Sequence, residues 1–80
     1  MKQSTQALVA QAVRVQRVRA GISSDAELAR RADMDPSALN RRLNGTLRMD
    51  LDDIETIAQA LGVDPFDLLS MAQAERAAAA

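Results

Sequence analysis

Gly21, Gly45 and Gly62 each follow a run of apolar residues at helical spacing, and the pairs Asp35-Pro36 and Asp64-Pro65 each stand where such a run begins. Glycine readily takes the left-handed conformation that ends a helix. Aspartate followed by proline supplies an N-cap and a first-turn residue whose missing N–H is no loss. This punctuation predicts five helices. The first is expected over 4–20, with Leu8, Ala12, Val15 and Val18 as its apolar stripe and Arg14 and Arg17 off it. Ser24 opens the second, which runs through Arg31, in a capping box where Glu27 reaches back and Leu28 and Ala29 face inward. The third spans 36–44 and is closed by Gly45. An acidic start of Asp50, Asp52 and Asp53 opens the fourth, with Leu51, Ile54, Ile57, Ala58 and Leu61 on one face. The fifth begins at Asp64-Pro65 and brings Phe66, Leu69 and Met71 to the core.

Eighty residues at 48% hydrophobic content suit one modest core, so the chain is expected to form a single domain, 1–80, with its core over about 8–72 and an alanine-rich tail over 73–80. One Phe, and neither Trp nor Tyr, leaves aliphatic residues to build that core, which favours a compact all-α fold. The absence of Cys and His removes disulfides, Cys or His metal sites, and Cys-His or Ser-His-Asp catalysis. Only carboxylate chemistry remains, and a chain this small has little means of forming a cleft around its only core. Asp50, Asp52, Asp53 and Glu55 read as complements of a helix dipole, not as a metal site. No catalytic residue, metal or cofactor is therefore expected. The apolar run Ala7 to Ala10 is too short for a signal sequence or a membrane span, so the expected location is the cytoplasm, with no membrane partner.

The formal net charge is −1, which taken alone argues against a nucleic-acid partner. The distribution says otherwise. Nine bases and four acids stand between Met1 and Arg48, whereas seven acids and one base follow. One domain divided in this way can offer phosphates a basic side and keep its acidic side away from them.

Two short helices joined by a tight turn, over 24–31 and 35–44, make a helix-turn-helix signal. The surrounding residues add to it: Gly21-Ile22-Ser23, Glu27-Leu28-Ala29, Leu39-Asn40-Arg41 with Asn44-Gly45, the run from Ile57 to Val63, and Asp67-Leu68-Leu69. Along these motifs, from about Arg14 to Leu69, the chain resembles the Cro/CI-type (lambda-repressor-like, XRE) helix-turn-helix family. The resemblance implies a five-helix domain whose third helix enters the DNA major groove. It also implies a homodimer reading two half-sites, as a repressor-like regulator of transcription such as phages use.

If Leu39 and Leu43 face the core, Ser37, Asn40, Arg41 and Asn44 face outward, with Arg42 on the flank. Arg41 can then donate two hydrogen bonds to guanine, and Ser37 and Asn40 can address bases beside it. Asn44, Thr46 and Arg48 follow the recognition helix and are expected on the phosphate backbone. Arg42 either reaches a phosphate or lays its stem on the core edge. The chain departs from the family pattern in several places: the stretch Ser23-Ser24-Asp25-Ala26-Glu27 is one residue longer than usual, the first helix starts earlier, and two residues differ in kind. Asp25 stands where a phosphate-contacting Gln is common, and Asp33 replaces the usual Gly of the turn. The alternative function is an antitoxin or protein-interaction module, in which the acidic C-terminal half holds a protein partner.

Overall fold

The computed structural model describes residues 3–79, which form five helices and no strand. They are α1 (Thr5–Arg19), α2 (Asp25–Arg31), α3 (Pro36–Leu43), α4 (Leu51–Leu61) and α5 (Pro65–Ala79). Oxygens of the residue before each helix satisfy its free amides: Ser4, Ser24, Asp35 and Asp50 cap α1 to α4, and the Asp64 carboxylate accepts from the Phe66 N–H at 2.8 Å. At Asp50 the box is reciprocal, since Asp53 also accepts from the Asp50 N–H.

α1 to α4 all end in the same way. A residue with positive φ follows each one, and the N–H groups just beyond turn back to carbonyls of the last turn, as in Val63 to Ala58 and Gly62 to Gln59 at the end of α4. Glycine fills that position after α1, α3 and α4. After α2 it is Asp33, at φ 55.

The buried residues form one cluster, with Val9, Val13, Leu28, Leu39, Ile57 and Leu68 at its centre. α1 runs through the middle and packs against every other helix, most extensively against α5. Its buried side is centred on Val9 and Val13. At about 100° per residue, Val15 then falls about 140° away and Val18 about 160° away. Accordingly Val15 is 39% exposed and Val18 is 66% exposed, which corrects the expected stripe. Inside the turn that Val18 leaves, the half-buried Gln16 and Arg17 line the core edge instead.

Two further expectations about the core are corrected. Leu51 is 75% exposed, because the first residue of α4 projects beyond the layer that Ile54, Ile57, Ala58 and Leu61 close. Phe66 is also 75% exposed. On α5 the buried residues are Leu68 and Ala72, one turn apart, with Leu69 and Met71 packed partly against the cluster, and Phe66 lies nearly opposite Leu68. Beyond Ala72 the helix continues to Ala79, tied to α1 by Gln11 donating to Glu75 at 3.3 Å and Arg76 donating to the Thr5 hydroxyl at 2.9 Å. Among the described residues, no helix is long and apolar enough to cross a membrane.

Candidate nucleic-acid interface

α2 and α3 are joined by Ala32 to Asp35, and the left-handed Asp33 redirects the chain within that turn. α3 is anchored by one side only: Leu39 is fully buried and Leu43 nearly so. A helix held in this way must turn positions 37, 40, 41 and 44 to solvent, and Ser37, Asn40, Arg41 and Asn44 are all exposed. They form one i, i+3, i+4, i+7 face of hydrogen-bonding side chains. α3 ends at Leu43, one residue short of the expected 36–44, and Asn44 is its C-cap.

The connection to α4 is well ordered by hydrogen bonds. The carbonyl of Arg41 accepts from the N–H groups of Thr46 and Leu47, at 2.9 and 3.0 Å. The carboxamide oxygen of Asn44 accepts from the Thr46 N–H at 3.0 Å and from its hydroxyl. This leaves the Asn44 NH₂ group facing outward, with no partner among the described residues. Thr46 and Arg48 are exposed on the same connection. Gln6, from α1, reaches its other side, donating to the carbonyls of Arg42 at 2.9 Å and Leu47 at 2.7 Å and accepting from the Met49 N–H at 3.3 Å. No local signal marks this contact, since its partners lie 36 to 43 residues away.

Arg42 is held in place. Its Nε meets Asp53 Oδ2 at 3.0 Å, its Nη1 donates to the Ala38 carbonyl at 3.2 Å, and its side chain is 23% exposed. The guanidinium joins α3 to α4. On Asp53, burial works to raise the pKa. The Asp50 N–H and the Arg42 guanidinium outweigh it, so the carboxyl titrates below its ordinary range.

At the start of α2, the Ser24 hydroxyl oxygen accepts from the Glu27 N–H at 3.1 Å as expected. Glu27 does not reach back. Its carboxylate instead takes Arg30 and Arg31, one turn along, because two cations at i+3 and i+4 outbid a single amide. Asp25 faces Arg17 at 3.1 Å and Arg14 at 3.8 Å. Arg17 Nε and Asp25 Oδ1 are both shut off from solvent and meet as an ion pair, without the alignment of a good hydrogen bond. The other side of the Arg17 guanidinium donates to the Ile22 carbonyl at 2.8 Å. Asp25 therefore carries no net repulsion toward an anion at this end of α2: two arginines outnumber it. Among the described residues, Arg19, Arg41 and Arg48 take part in no ion pair.

A groove of about 900 Å³ runs between α1 and the end of α3. Ala7, Val15, Val18 and Leu43 give it apolar walls, and Arg14 and Arg19 give it positive charge.

A family model described as the Cro/C1-type HTH DNA-binding domain matches residues 13–73. Among solved structures, the fold is similar to that of the clp gene regulator ClgR from C. glutamicum, with a TM-score of 0.81 and 22% identity over 92% of this chain and 95% of that one. It is also similar to the hypothetical transcription factor NHTF from Neisseria, with a TM-score of 0.76 and 34% identity over 84% of this chain and 76% of that one. No curated protein matches the chain.

Proposed function

The chain belongs to the Cro/C1-type helix-turn-helix DNA-binding family, and on that premise we propose that it is a non-enzymatic, sequence-specific regulator of transcription that lays α3 in the major groove. One observation carries the reading. α3 buries Leu39 and Leu43 and turns Ser37, Asn40 and Arg41 outward together, with Arg41 free of any ion pair among the described residues. A fork of guanidinium donors on an exposed helix face suits guanine O6 and N7, and the hydroxyl and carboxamide beside it suit neighbouring bases.

Asn44, Thr46 and Arg48 are assigned to the phosphates on one side of this helix, since they lie past its end and carry no base-reading geometry of their own. Arg42 supports them from behind. Its charge is committed to Asp53, so any phosphate contact it makes is shared. The protein is read as a homodimer, because a helix of eight residues offers too few base contacts for specific control by itself. The groove beside Val15 and Val18 supplies an apolar surface for the second copy. A repressor-like action in the cytoplasm is the simplest use of such a dimer, since occupying an operator needs no further surface.

Selection from random duplexes, followed by mobility shift on the winner, tests the reading. A pseudo-palindrome with half-sites one helical turn apart, bound with two protomers, is the expected result. Undiminished affinity for a single half-site defeats the dimer, and no enrichment at all defeats sequence-specific binding. The protein-partner reading is favoured by a different observation: Phe66 and Leu51 are exposed among the acids Asp52, Asp64 and Asp67. A stoichiometric complex with a co-expressed protein that survives added salt would mark that function, since DNA binding weakens steeply with salt.

A further inference from the structure

We propose that Gln6 is a positioning residue for DNA binding: its carboxamide holds the connection between α3 and α4 in the shape that presents Thr46 and Arg48 to phosphate. The proposal rests on the DNA-binding reading above. Its basis is the number and placement of the bonds this side chain makes. A carboxamide has two N–H donors and one oxygen. Gln6 gives both donors to the connection, to the carbonyls of Arg42 and Leu47, and its oxygen takes the Met49 N–H.

Each of these three partners has a definite place in the local structure. The Arg42 carbonyl is one of the four that α3 leaves without a helical partner. Among the described residues, the Gly45 N–H is its only other backbone donor, at 3.4 Å, beyond the usual range for such a bond. Gln6 therefore caps the recognition helix from a different helix. Leu47 lies between Thr46 and Arg48, so fixing its carbonyl fixes the peptide that leads into Arg48. Met49 precedes the Asp50 cap of α4. One half-buried side chain thus joins the last turn of α3, the middle of the connection and the entry to α4. Asn44, Thr46 and Arg48, the exposed side chains between those anchors, are the ones assigned to phosphate. The family match begins at residue 13, so the clamp comes from the part of α1 that precedes it.

Two substitutions separate shape from hydrogen bonding. Gln6→Met keeps the length and provides no donor. Gln6→Glu keeps the outline but, when ionised, turns an acceptor toward two carbonyls. Both are compared with Arg48→Ala and with the Gln6→Met/Arg48→Ala double variant on the selected duplex, at two salt concentrations, at a temperature where circular dichroism shows each fully folded. Gln6→Met is expected to weaken binding to all duplexes by about three- to tenfold and to leave the base-preference profile intact. It should lower the salt slope about as much as Arg48→Ala does, with little further loss in the double variant. Gln6→Glu should be the weaker binder of the two single variants at position 6.

Unchanged affinity and salt slope in folded Gln6→Met, with only a lower Tm, would make Gln6 merely structural and overturn the proposal. Fully additive losses would overturn it too, since they would mean that Gln6 does not act through Arg48. Hydrogen exchange at the Met49 amide of the free protein provides a readout without DNA. It should quicken in Gln6→Met while the buried α4 amides stay protected, and unchanged exchange overturns the clamp. If the wild-type chain itself binds no duplex, the DNA reading has failed first, and the positioning role falls with it.

Discussion

Asp33 occupies a backbone conformation that three glycines occupy elsewhere in the same molecule, and replacing it with glycine should stabilise the fold. Its φ is 55, and its N–H and that of Met34 make the same backward bonds, to Arg30 and Ala29, that close the other helices. An L-residue in the left-handed region costs roughly 1–2 kcal/mol, and aspartate sits at the lower end of that range. Glycine removes the strain but loses about 0.5–1 kcal/mol through the greater freedom of its unfolded chain. The balance for Asp33→Gly is a gain of up to about 0.5 kcal/mol, or at most roughly 2–4 °C in Tm for a domain of this size. Asp33→Ala keeps the Cβ and loses the polar side chain that makes the conformation tolerable, so it should lower Tm. Asp33→Asn, which keeps the shape and removes the charge, isolates any electrostatic part. Thermal unfolding of the three variants followed by circular dichroism decides the matter. If alanine is tolerated as well as glycine, the left-handed conformation is not what position 33 is selected for, and the reasoning fails.

Leu39→Ala should destabilise the fold by about 2–5 kcal/mol in urea titrations, because the side chain is fully buried at the centre of the core; a loss within error would mean the face that Arg41 shares is misassigned. Arg41→Ala should cost about 1–3 kcal/mol on the selected site and flatten preference at one base position in competition titrations. Arg48→Ala should weaken all duplexes alike and reduce the salt slope by about one, so identical profiles for the two variants would remove the distinction between reading and holding. The carboxyl of Asp53 titrates below its ordinary range in the folded protein, so its contribution is complete at neutral pH and is lost as the pH falls from that ordinary value through the lowered one. Asp53→Asn should therefore be less stable at pH 7 and lose less on acidification than the wild type; parallel stability curves would contradict this.

Recognition of α3 in the sequence succeeded because every signal there is local. Asp35-Pro36 fixes its start, Gly45 fixes its end, and two leucines four residues apart leave only one way to turn it. α1 gave no such unique answer. Leu8, Val9, Ala10, Ala12, Val13, Val15 and Val18 surround its axis, so several apolar stripes fit, and packing against four other helices chose among them. On α5 the same ambiguity set Phe66 against Leu68. Size favoured the phenylalanine, but the helix buries Leu68 and Ala72, one turn apart, and Phe66 falls on the other side. Side-chain partners were the least legible. Glu27 had an amide behind it and two arginines ahead, and only the competition among them settles its direction. Gln6 is of a residue type that carries no signal until its three partners are placed around it.

The charge division of the sequence also acquires a different meaning in three dimensions. Nine bases precede Met49, but most are already answered: Arg14 and Arg17 share Asp25, Arg30 and Arg31 share Glu27, and Arg42 takes Asp53. Pairs of this kind keep their cations from acting at full strength on a phosphate, since each release of an arginine exposes a carboxylate beside it. Among the described residues before Met49, unanswered charge is left mainly at Arg19, Arg41 and Arg48, with a surplus of one at each of the two shared carboxylates. At physiological salt, charges more than about 8 Å apart are largely screened from one another. Asp53 of α4 is itself one of the close partners, since it answers Arg42 on α3, so what bears on binding is which cations have such a neighbour and not the negative total. Attraction to DNA then depends on where a few arginines stand, not on the sum. Arg41 and Arg48 stand on opposite sides of Gly45, one on the helix and one on the connection that Gln6 holds. This separation allows the same side-chain chemistry to read a base at one position and grip the backbone at the other.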